Sequence, residues 1–176
     1  NGTIDSQVSA NADAGFSIVS YTGNGTSGAT IGHGLSYAPE LVIYKSRDVA
    51  RNWLIQSDYL TTNTSQYLYL NATDAQATYT NYFYAPTTTT IGLQTSDPTA
   101  NANTETYIAY CFHSVEGYSK VGSYEGNSSD DGTFVYCGFR PKFILMKNVD
   151  GATQDWYIFD TERETYNIVD DYLRPN

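Results

Sequence analysis

The same sequence signature occurs twice in this chain, and this duplication limits the folds open to it. The first copy starts Gly-Phe-Ser-Ile-Val-Ser-Tyr-Thr-Gly-Asn at residue 15, and the second starts Gly-Tyr-Ser-Lys-Val-Gly-Ser-Tyr-Glu-Gly-Asn at residue 117. The matched residues are Gly15, Ser17, Val19, Tyr21, Gly23, Asn24, Pro39, Lys45 and Trp53, with counterparts Gly117, Ser119, Val121, Tyr124, Gly126, Asn127, Pro141, Lys147 and Trp156. Because the offset stays at 102 or 103 residues, we predict two copies of one structural unit.

Both copies contain short runs that are typical of β-strands. Residues 41–45, Leu-Val-Ile-Tyr-Lys, are continuous and β-branched, which is typical of a central strand buried on both faces. Residues 106–113 form the longest strand-like run. Polar turn residues separate these runs. Further strands are predicted at residues 15–21, 29–33, 52–56, 66–70, 78–84 and 88–94, in a repeat of the same strand order through Phe159, and near Leu173 after a loop.

These strands predict an all-β fold, an antiparallel β-sandwich or jelly-roll-like fold with an internal duplication. The 17 tyrosines agree, because a tyrosine ring packs on a pleated surface while its hydroxyl stays in water. Residues 1–14 are small and polar and are predicted to be an N-terminal arm or linker.

Two domain organisations fit the duplication. The one we favour is a single β-sandwich over residues 15–176 that contains the repeated blocks 15–58 and 117–160. The alternative is two repeat domains, 15–116 and 117–176, of which the second is incomplete.

The repeated small residues are interpreted as structural. Gly23-Asn24 and Gly126-Asn127 fit turns, because glycine and asparagine adopt backbone angles that branched residues avoid. A ligand loop is the alternative. Pro39 and Pro141 each precede an apolar strand and set its start.

The repeated lysines and tryptophans are also given structural roles. Lys45 and Lys147 end the apolar strands, and each is expected to pair with a carboxylate or to lay its stem over the core. Trp53 and Trp156 are interpreted as core anchors, and a carbohydrate-stacking platform is the alternative.

The charge of the chain limits its partners. The formal net charge is −10, which argues against nucleic acid and anionic membranes, since both attract basic patches. No apolar run approaches the length that spans a bilayer. The chain starts at Asn1 without an initiator methionine, so we expect a processed chain or a piece of a longer one.

The sequence shows no catalytic or cofactor motif. The histidines are His33 and His113, and no cysteine or histidine pair has zinc-ligand spacing. There is no nucleophile elbow, and the Asp130-Asp131-Gly132 run lacks the ligand pattern of a calcium loop. We therefore predict no enzyme activity, no metal and no cofactor.

Two modifications are considered. Cys111 and Cys137 form either one disulfide or two buried thiols, and we favour the thiols. Sequons occur in a chain so rich in asparagine and threonine that composition alone can produce them. They lie at Asn1, Asn24, Asn63, Asn71 and Asn127.

The two copies resemble a duplicated β-rich module found in structural proteins of tailed bacteriophages, especially marine phages. The resemblance rests on residues 20–26, residues 30–35 and, most specifically, Val115 to Lys147, and it covers residues 15–173. It implies a fibre, appendage or capsid-associated protein and supplies no catalytic residue. In longer members the second copy continues further, which implies that this chain is a fragment.

We therefore expect a non-enzymatic structural protein of a tailed-phage virion: a fibre, appendage or head-decoration module that contributes to host attachment. Its expected partners are further copies of itself, as a trimer in a fibre, and other virion proteins. The alternative is a glycan-binding, lectin-like module on a virion or cell surface, with Tyr79, Tyr82 and Tyr84 as stacking faces. A third hypothesis, a carbohydrate-active enzyme, would need a buried carboxylate pair facing a cleft.

Overall fold

The computed structural model describes residues 1–62, 64–80, 82–93, 98–151, 153–166 and 169–176. Within these residues the regular structure consists of β-strands, and every strand pair is antiparallel. The strands are β1 (Ser6–Asn11), β2 (Phe16–Thr22), β3 (Ala29–Gly32), β4 (Leu41–Ser46), β5 (Leu54–Ser57), β6 (Gln66–Tyr69), β7 (Ala77–Thr78), β8 (Thr90–Leu93), β9 (Thr106–Phe112), β10 (Phe143–Lys147) and β11 (Trp156–Asp160). The predicted all-β, antiparallel, sandwich-like fold is confirmed.

A seven-stranded sheet forms the centre of the molecule, in the order β1-β2-β9-β4-β5-β6-β7. Strand β9 lies between β2 and β4, as expected for the longest apolar run. Its Tyr107, Ala109 and Cys111 are fully buried on one face, and its Tyr110 and Phe112 pack on the other. A strand with large apolar residues on both faces is stable only where both faces are covered.

The first core lies between the seven-stranded sheet and a small sheet made of β3 and β8. Ile31 and Ile91, which are cross-strand partners in the small sheet, are both fully buried. Tyr44 is also fully buried, and its hydroxyl donates a 2.9 Å hydrogen bond to Gln56 Oε1. A tyrosine can be buried in this way because its polar atom keeps a partner.

The second core lies on the opposite face of the seven-stranded sheet, where the β10–β11 hairpin packs. Ile43, Ile55 and Leu68 of the sheet contact a cluster that includes Trp156 and Leu145 of the hairpin. The hairpin is therefore anchored on the first copy of the duplication through one of its two faces.

Residues 1–14 contain strand β1, where the composition predicted an arm or linker. Strand β1 pairs with β2 in register from Ser6 opposite Tyr21 to Asn11 opposite Phe16. Small polar side chains at an edge strand need little burial, so composition alone does not distinguish such a strand from a linker.

The second copy does not repeat the early strands of the first, so that prediction is wrong. Between Gly117 and Lys142 the backbone is irregular, apart from a bridge between Val115 and Ser119 at its start. The physical reason is that β2 pairs with β1 and β9, whereas the strand preceding Gly117 is β9 itself. Both edges of β9 are occupied, and the described residues contain no other strand that pairs with the second copy of the β2 sequence.

The remaining strand predictions are partly met. Strand β7 (Ala77–Thr78) overlaps the expected 78–84 region at Thr78 alone. Within that region Asn81 lies outside the described residues, and Phe83 forms a single bridge with Leu93. Gln94, the predicted end of β8, also lies outside the described residues. The expected strand at Leu173 is a single bridge to Ile158.

Candidate functional site

The β10–β11 hairpin reproduces the β4–β5 hairpin of the first copy residue for residue. Tyr44 faces Leu54 in the first copy, and their counterparts Met146 and Tyr157 face each other in the second. Thr161 N donates to Lys142 O at 3.1 Å, just as Asp58 N donates to Glu40 O at 3.0 Å. The duplicated signature therefore marks a duplicated structural element.

The repeated lysines occupy equivalent positions. The expected ion pair with a carboxylate is not found for either of them among the described residues. Lys45 Nζ donates to Arg51 O at 2.7 Å, and Lys147 Nζ donates to the counterpart Gln154 O at 2.6 Å. Lys147 Nζ also reaches Thr73 O, at 3.1 Å. Partial burial lowers the pKa of Lys147. Each lysine therefore stabilises, through a hydrogen bond to a backbone carbonyl, the loop that connects the two strands of its hairpin.

The repeated asparagines each close a turn, as predicted. Asn24 Oδ1 accepts a hydrogen bond from Thr26 N at 2.9 Å, and Asn127 Oδ1 accepts one from Ser129 N at 3.1 Å. Both bonds span two residues, which is the geometry of an Asx turn.

The glycines of the two copies have different surroundings. A side chain on Gly23 would lie 2.3 Å from Ala102 O, whereas nothing lies within 4 Å of the equivalent position on Gly126. Gly23 is therefore required by the close approach of a neighbouring loop. Gly15 and its counterpart Gly117 share a left-handed backbone, with φ of 64° and 73°.

The tyrosines and tryptophans of the signature also differ between the copies. Tyr21 is buried and donates to Ala100 O at 2.7 Å, whereas its counterpart Tyr124 is exposed. Trp156 is buried in the second core, as predicted for a core anchor, and Trp53 is half-buried and stacked on Tyr110 at 6.2 Å. Pro39 is buried and Pro141 half-buried ahead of their strands.

The face of the hairpin that points away from the second core is less buried than its counterpart in the first copy, and Tyr172 packs on part of it. In the first copy, Val42, Tyr44 and Leu54 lie in the first core and are 1%, 0% and 0% exposed. Their counterparts are Ile144, which is 41% exposed, and the half-buried Met146 and Tyr157. We call Ile144, Met146, Tyr157 and Phe159 the hairpin face.

A second apolar surface lies in the irregular stretch before the hairpin. Phe134 and Tyr136 are 86% and 72% exposed, and Tyr118 is exposed as well. Lys120 Nζ lies 5.8 Å from the centre of the Tyr136 ring and donates to Tyr136 O at 2.7 Å. We call residues 118–136 the aromatic segment. Exposed patches of this kind mark contact surfaces more often than isolated apolar residues do.

The tyrosines predicted to stack on glycans do not share one surface. Tyr82 is buried, and its ring packs at 4.8 Å from the rings of both Tyr67 and Phe83. It therefore has no open face for a sugar, and this part of the prediction is wrong. Tyr79 and Tyr84 are exposed.

An open cavity of about 290 Å³ lies beside β9, lined by Tyr37, Ala38, Glu40, His113 and Ser114. The Glu40 carboxylate accepts hydrogen bonds from Tyr59 Oη at 3.0 Å and from Ser114 N. Within the described residues, the buried Nε2 of His113 has no hydrogen-bond partner. Among the described residues that line this cavity, Glu40 is the one carboxylate.

Two further carboxylates near β9 are held in hydrogen bonds. The side-chain hydrogen bond from Arg51, at 2.6 Å, is the main reason that the pKa of Glu105 is lowered. The hydrogen bonds that Thr106 donates lower the pKa of Asp48. Burial raises the pKa of Tyr107, whose hydroxyl contacts Glu105, to about 12. These hydrogen bonds connect the loop after β4 to the start of β9.

The remaining predicted residues are placed as follows. Cys111 and Cys137 are free thiols, the first buried and the second half-buried. Among the described residues there is no cluster of three or more histidine, cysteine, aspartate or glutamate side chains suited to a metal ion. The described part of the chain likewise has no helix with the length and hydropathy needed to cross a bilayer. The sequon at Asn63 lies outside the described residues.

The hairpin face and the aromatic segment were not identified from the sequence. The repeated β4–β5 sequence is apolar in both copies, so it does not indicate that the two copies differ in exposure. Finding that difference required knowing that β9 lies beside β4, and only the fold shows that pairing.

Comparison with known proteins places the chain in a family. No curated protein and no solved structure matches it. Its full length, residues 1–176, matches the model of a family described as a domain of unknown function, DUF7483. The chain therefore belongs to the DUF7483 domain family.

Proposed function

We propose that this chain is a non-enzymatic structural module of a tailed-phage virion, part of a fibre, appendage or head decoration, that assembles into a homo-oligomer. The observation that carries the proposal is the exposed aromatic segment, with Phe134 86% and Tyr136 72% exposed on a protein whose first copy is well packed. Aromatic side chains are enriched in the buried centres of protein interfaces. The virion setting comes from the sequence resemblance.

The rest of the surface is compatible with a structural role. The anchored hairpin joins both copies into one body through the second core. The formal net charge of −10 keeps such a protein soluble before it assembles. The ionisable groups near β9 serve structural contacts, and Glu40 is bonded by Tyr59 and Ser114.

Light scattering over a dilution series tests this proposal. We expect the purified chain to have the mass of an oligomer at high concentration and to dissociate on dilution. Replacing Tyr118, Phe134 and Tyr136 together by serine should give a monomer with an unchanged circular dichroism spectrum, because all three side chains are exposed. Tyr37→Ser is the matched control, since Tyr37 is exposed in the first copy and should leave the oligomer intact.

Two results would contradict the proposal. One is a wild-type chain that stays monomeric at every concentration. The other is a triple variant that assembles as well as the wild type, which would move the contact away from the aromatic segment.

Glycan binding is the second candidate function, and the exposed rings of Tyr79 and Tyr84 favour it. Exposed aromatic rings are suited to stacking on the apolar faces of sugars. A glycan array with the wild type and with Tyr79→Ala and Tyr84→Ala tests it. Binding that both variants lose would support this function, and an array without specific signal would count against it.

A further inference from the structure

The cavity beside β9 contains a carboxylate without a positively charged partner. We propose that this cavity binds an amino sugar, a sugar with a free, protonated amine, and that Glu40 receives the amine while Tyr37 contacts the sugar ring. This site is separate from Tyr79 and Tyr84. It adds a small ligand to the structural role proposed above and does not depend on that role.

The walls of the cavity belong to the seven-stranded sheet. They come from residues 37–40, which precede β4, and residues 113–114, which follow β9. Glu40 N donates to Phe112 O at 2.8 Å, and His113 N donates to Gly15 O at 2.9 Å. These backbone bonds continue the pairing of β4 and β2 with β9, so the cavity is built on the most regular part of the fold.

The Glu40 carboxylate is held in place and keeps capacity for a ligand. It is half-buried, and its two oxygens accept hydrogen bonds from Tyr59 Oη, at 3.0 Å, and from Ser114 N. Each carboxylate oxygen has two lone pairs, so one on each oxygen remains for a further donor. Among the described residues no cationic side chain forms an ion pair with Glu40. A half-buried charge of this kind favours a cationic ligand group.

His113 adds a second hydrogen-bond acceptor to the lining. The residue is 6% exposed, and its Nδ1 donates to Ser114 O at 2.8 Å, so Nε2 of the neutral ring is an acceptor. Within the described residues this buried Nε2 has no hydrogen-bond partner. A buried acceptor without a partner costs free energy, and a ligand ammonium or hydroxyl group that reached it would remove that cost.

Tyr37 supplies an aromatic ring at the cavity. Its side chain is 66% exposed, and its ring packs edge-to-face on the His113 ring with 5.3 Å between the centres. This contact positions the Tyr37 ring and leaves much of it open. An open aromatic ring is suited to stacking on the apolar face of a sugar, and it also attracts a nearby cation.

The size of the cavity favours a sugar over a lysine side chain. The cavity is open and has a volume of about 290 Å³, which is close to the lower end of the range for small-molecule sites. A lysine side chain is a narrow four-carbon stem with a compact charge, and it would leave much of this volume unfilled. A sugar ring fills more of it and brings several hydroxyl donors.

The test is a titration of the full chain with D-glucosamine, followed by nuclear magnetic resonance of isotope-labelled histidine. The chain has two histidines, His33 and His113, and a His33→Gln variant assigns their signals. We expect saturable binding in the millimolar range or tighter, with a larger shift at His113 than at His33. N-acetyl-D-glucosamine lacks the charged amine and should bind more weakly by about tenfold or more.

Matched variants locate the site. Glu40→Gln should weaken D-glucosamine binding by about tenfold or more, because it removes the charge and keeps the shape of the side chain. Asp5→Asn changes the net charge equally and should have no effect, since Asp5 is exposed at the opposite end of the β1–β2 pair. Tyr37→Ser should weaken binding with the fold intact, because Tyr37 is exposed, and it keeps the test decisive if Glu40→Gln does not fold.

Four outcomes would overturn the inference. They are no saturable binding of D-glucosamine, equal binding of its N-acetyl form, binding that neither Glu40→Gln nor Tyr37→Ser weakens, and tighter binding of Nα-acetyl-lysine amide than of D-glucosamine. The last would assign the cavity to a lysine side chain of a protein. The light-scattering mass of the wild-type oligomer tests the proposed function separately from all of these.

Discussion

The indole nitrogen of Trp156 donates a 2.9 Å hydrogen bond to the backbone carbonyl of Tyr69, and this bond joins the hairpin of the second copy to β6 of the seven-stranded sheet. The ring is buried among Ile43, Ile55 and Leu68 in the second core. Its counterpart Trp53 is half-buried. Trp53 packs against the same core from the side of the seven-stranded sheet, where it stacks on Tyr110. Trp156 thus attaches the hairpin of the second copy to the seven-stranded sheet, whereas Trp53 directly precedes β5 of that sheet.

We expect Trp156→Phe to lower the free energy of unfolding by about 1–2 kcal/mol, because it removes the indole donor and part of a buried ring. Trp156→Ala should cost about 3–5 kcal/mol. Urea unfolding followed by far-ultraviolet circular dichroism measures both. Trp53→Phe is the control and should cost less than Trp156→Phe; equal losses would contradict the anchoring role.

Gly23 and Gly126 allow a comparison at equivalent positions. Gly23→Ala should destabilise the protein by about 1–3 kcal/mol, because the new methyl group would lie 2.3 Å from Ala102 O. Gly126→Ala should change stability by less than about 0.5 kcal/mol, since its surroundings are open. Thermal unfolding midpoints of the two variants test this, and similar midpoints would show that the loop at Ala102 moves aside.

The repeated lysines should contribute unequally to stability. Lys147→Met removes hydrogen bonds to Thr73 O and Gln154 O, whereas Lys45→Met removes one to Arg51 O. At about 1 kcal/mol per bond, we expect losses of about 2 and about 1 kcal/mol. Chemical denaturation provides the comparison. A larger loss at Lys45 would mean that its stacking over Trp53, at 5.9 Å, outweighs the bonds.

His33 should make the protein less stable in mild acid. Leu35 N donates to His33 Nδ1 at 3.1 Å, so the hydrogen lies on Nε2, which donates to Thr87 O at 3.1 Å. Burial, followed by the nearby His113, lowers the pKa of His33 below 6.5. The unfolded chain therefore binds the proton at higher pH than the folded chain, so stability falls as the pH drops below about 6.5.

The measurement is the free energy of unfolding of wild type and His33→Gln between pH 7 and pH 5. Glutamine can still donate to Thr87 O but does not titrate, so the variant should show a flatter dependence on pH. An unchanged slope would assign the pH dependence to groups other than His33.

The two cysteines should differ in reactivity. Burial raises the pKa of Cys111 to about 12, which leaves its thiol protonated and shielded near neutral pH. Cys137 is half-buried. A thiol-reactive disulfide reagent should therefore label one thiol in the native protein and two in urea, and Cys137→Ser should remove the native reaction. Two fast native reactions would indicate that β9 opens readily.

The sequence by itself determined the strand-rich fold and the duplication. The alternation around Tyr107 and the β-branched run at residues 41–45 specify strands locally, because side chains in a strand point to opposite faces in turn. The Asx turns at Asn24 and Asn127 could also be predicted, since they depend on residues two positions apart.

The tertiary structure alone decided which strands have partners. The copies share the β2 sequence. Within the described residues, Phe16–Thr22 has β1 and β9 beside it and forms a strand, whereas the stretch after Gly117 has no partner strand and is irregular. The burial of Tyr82 likewise depends on rings that the fold brings around it, those of Tyr67 and Phe83. Strand pairing joins residues that are far apart in the chain. The sequence of one strand therefore does not indicate whether the edge of a neighbouring strand is already paired.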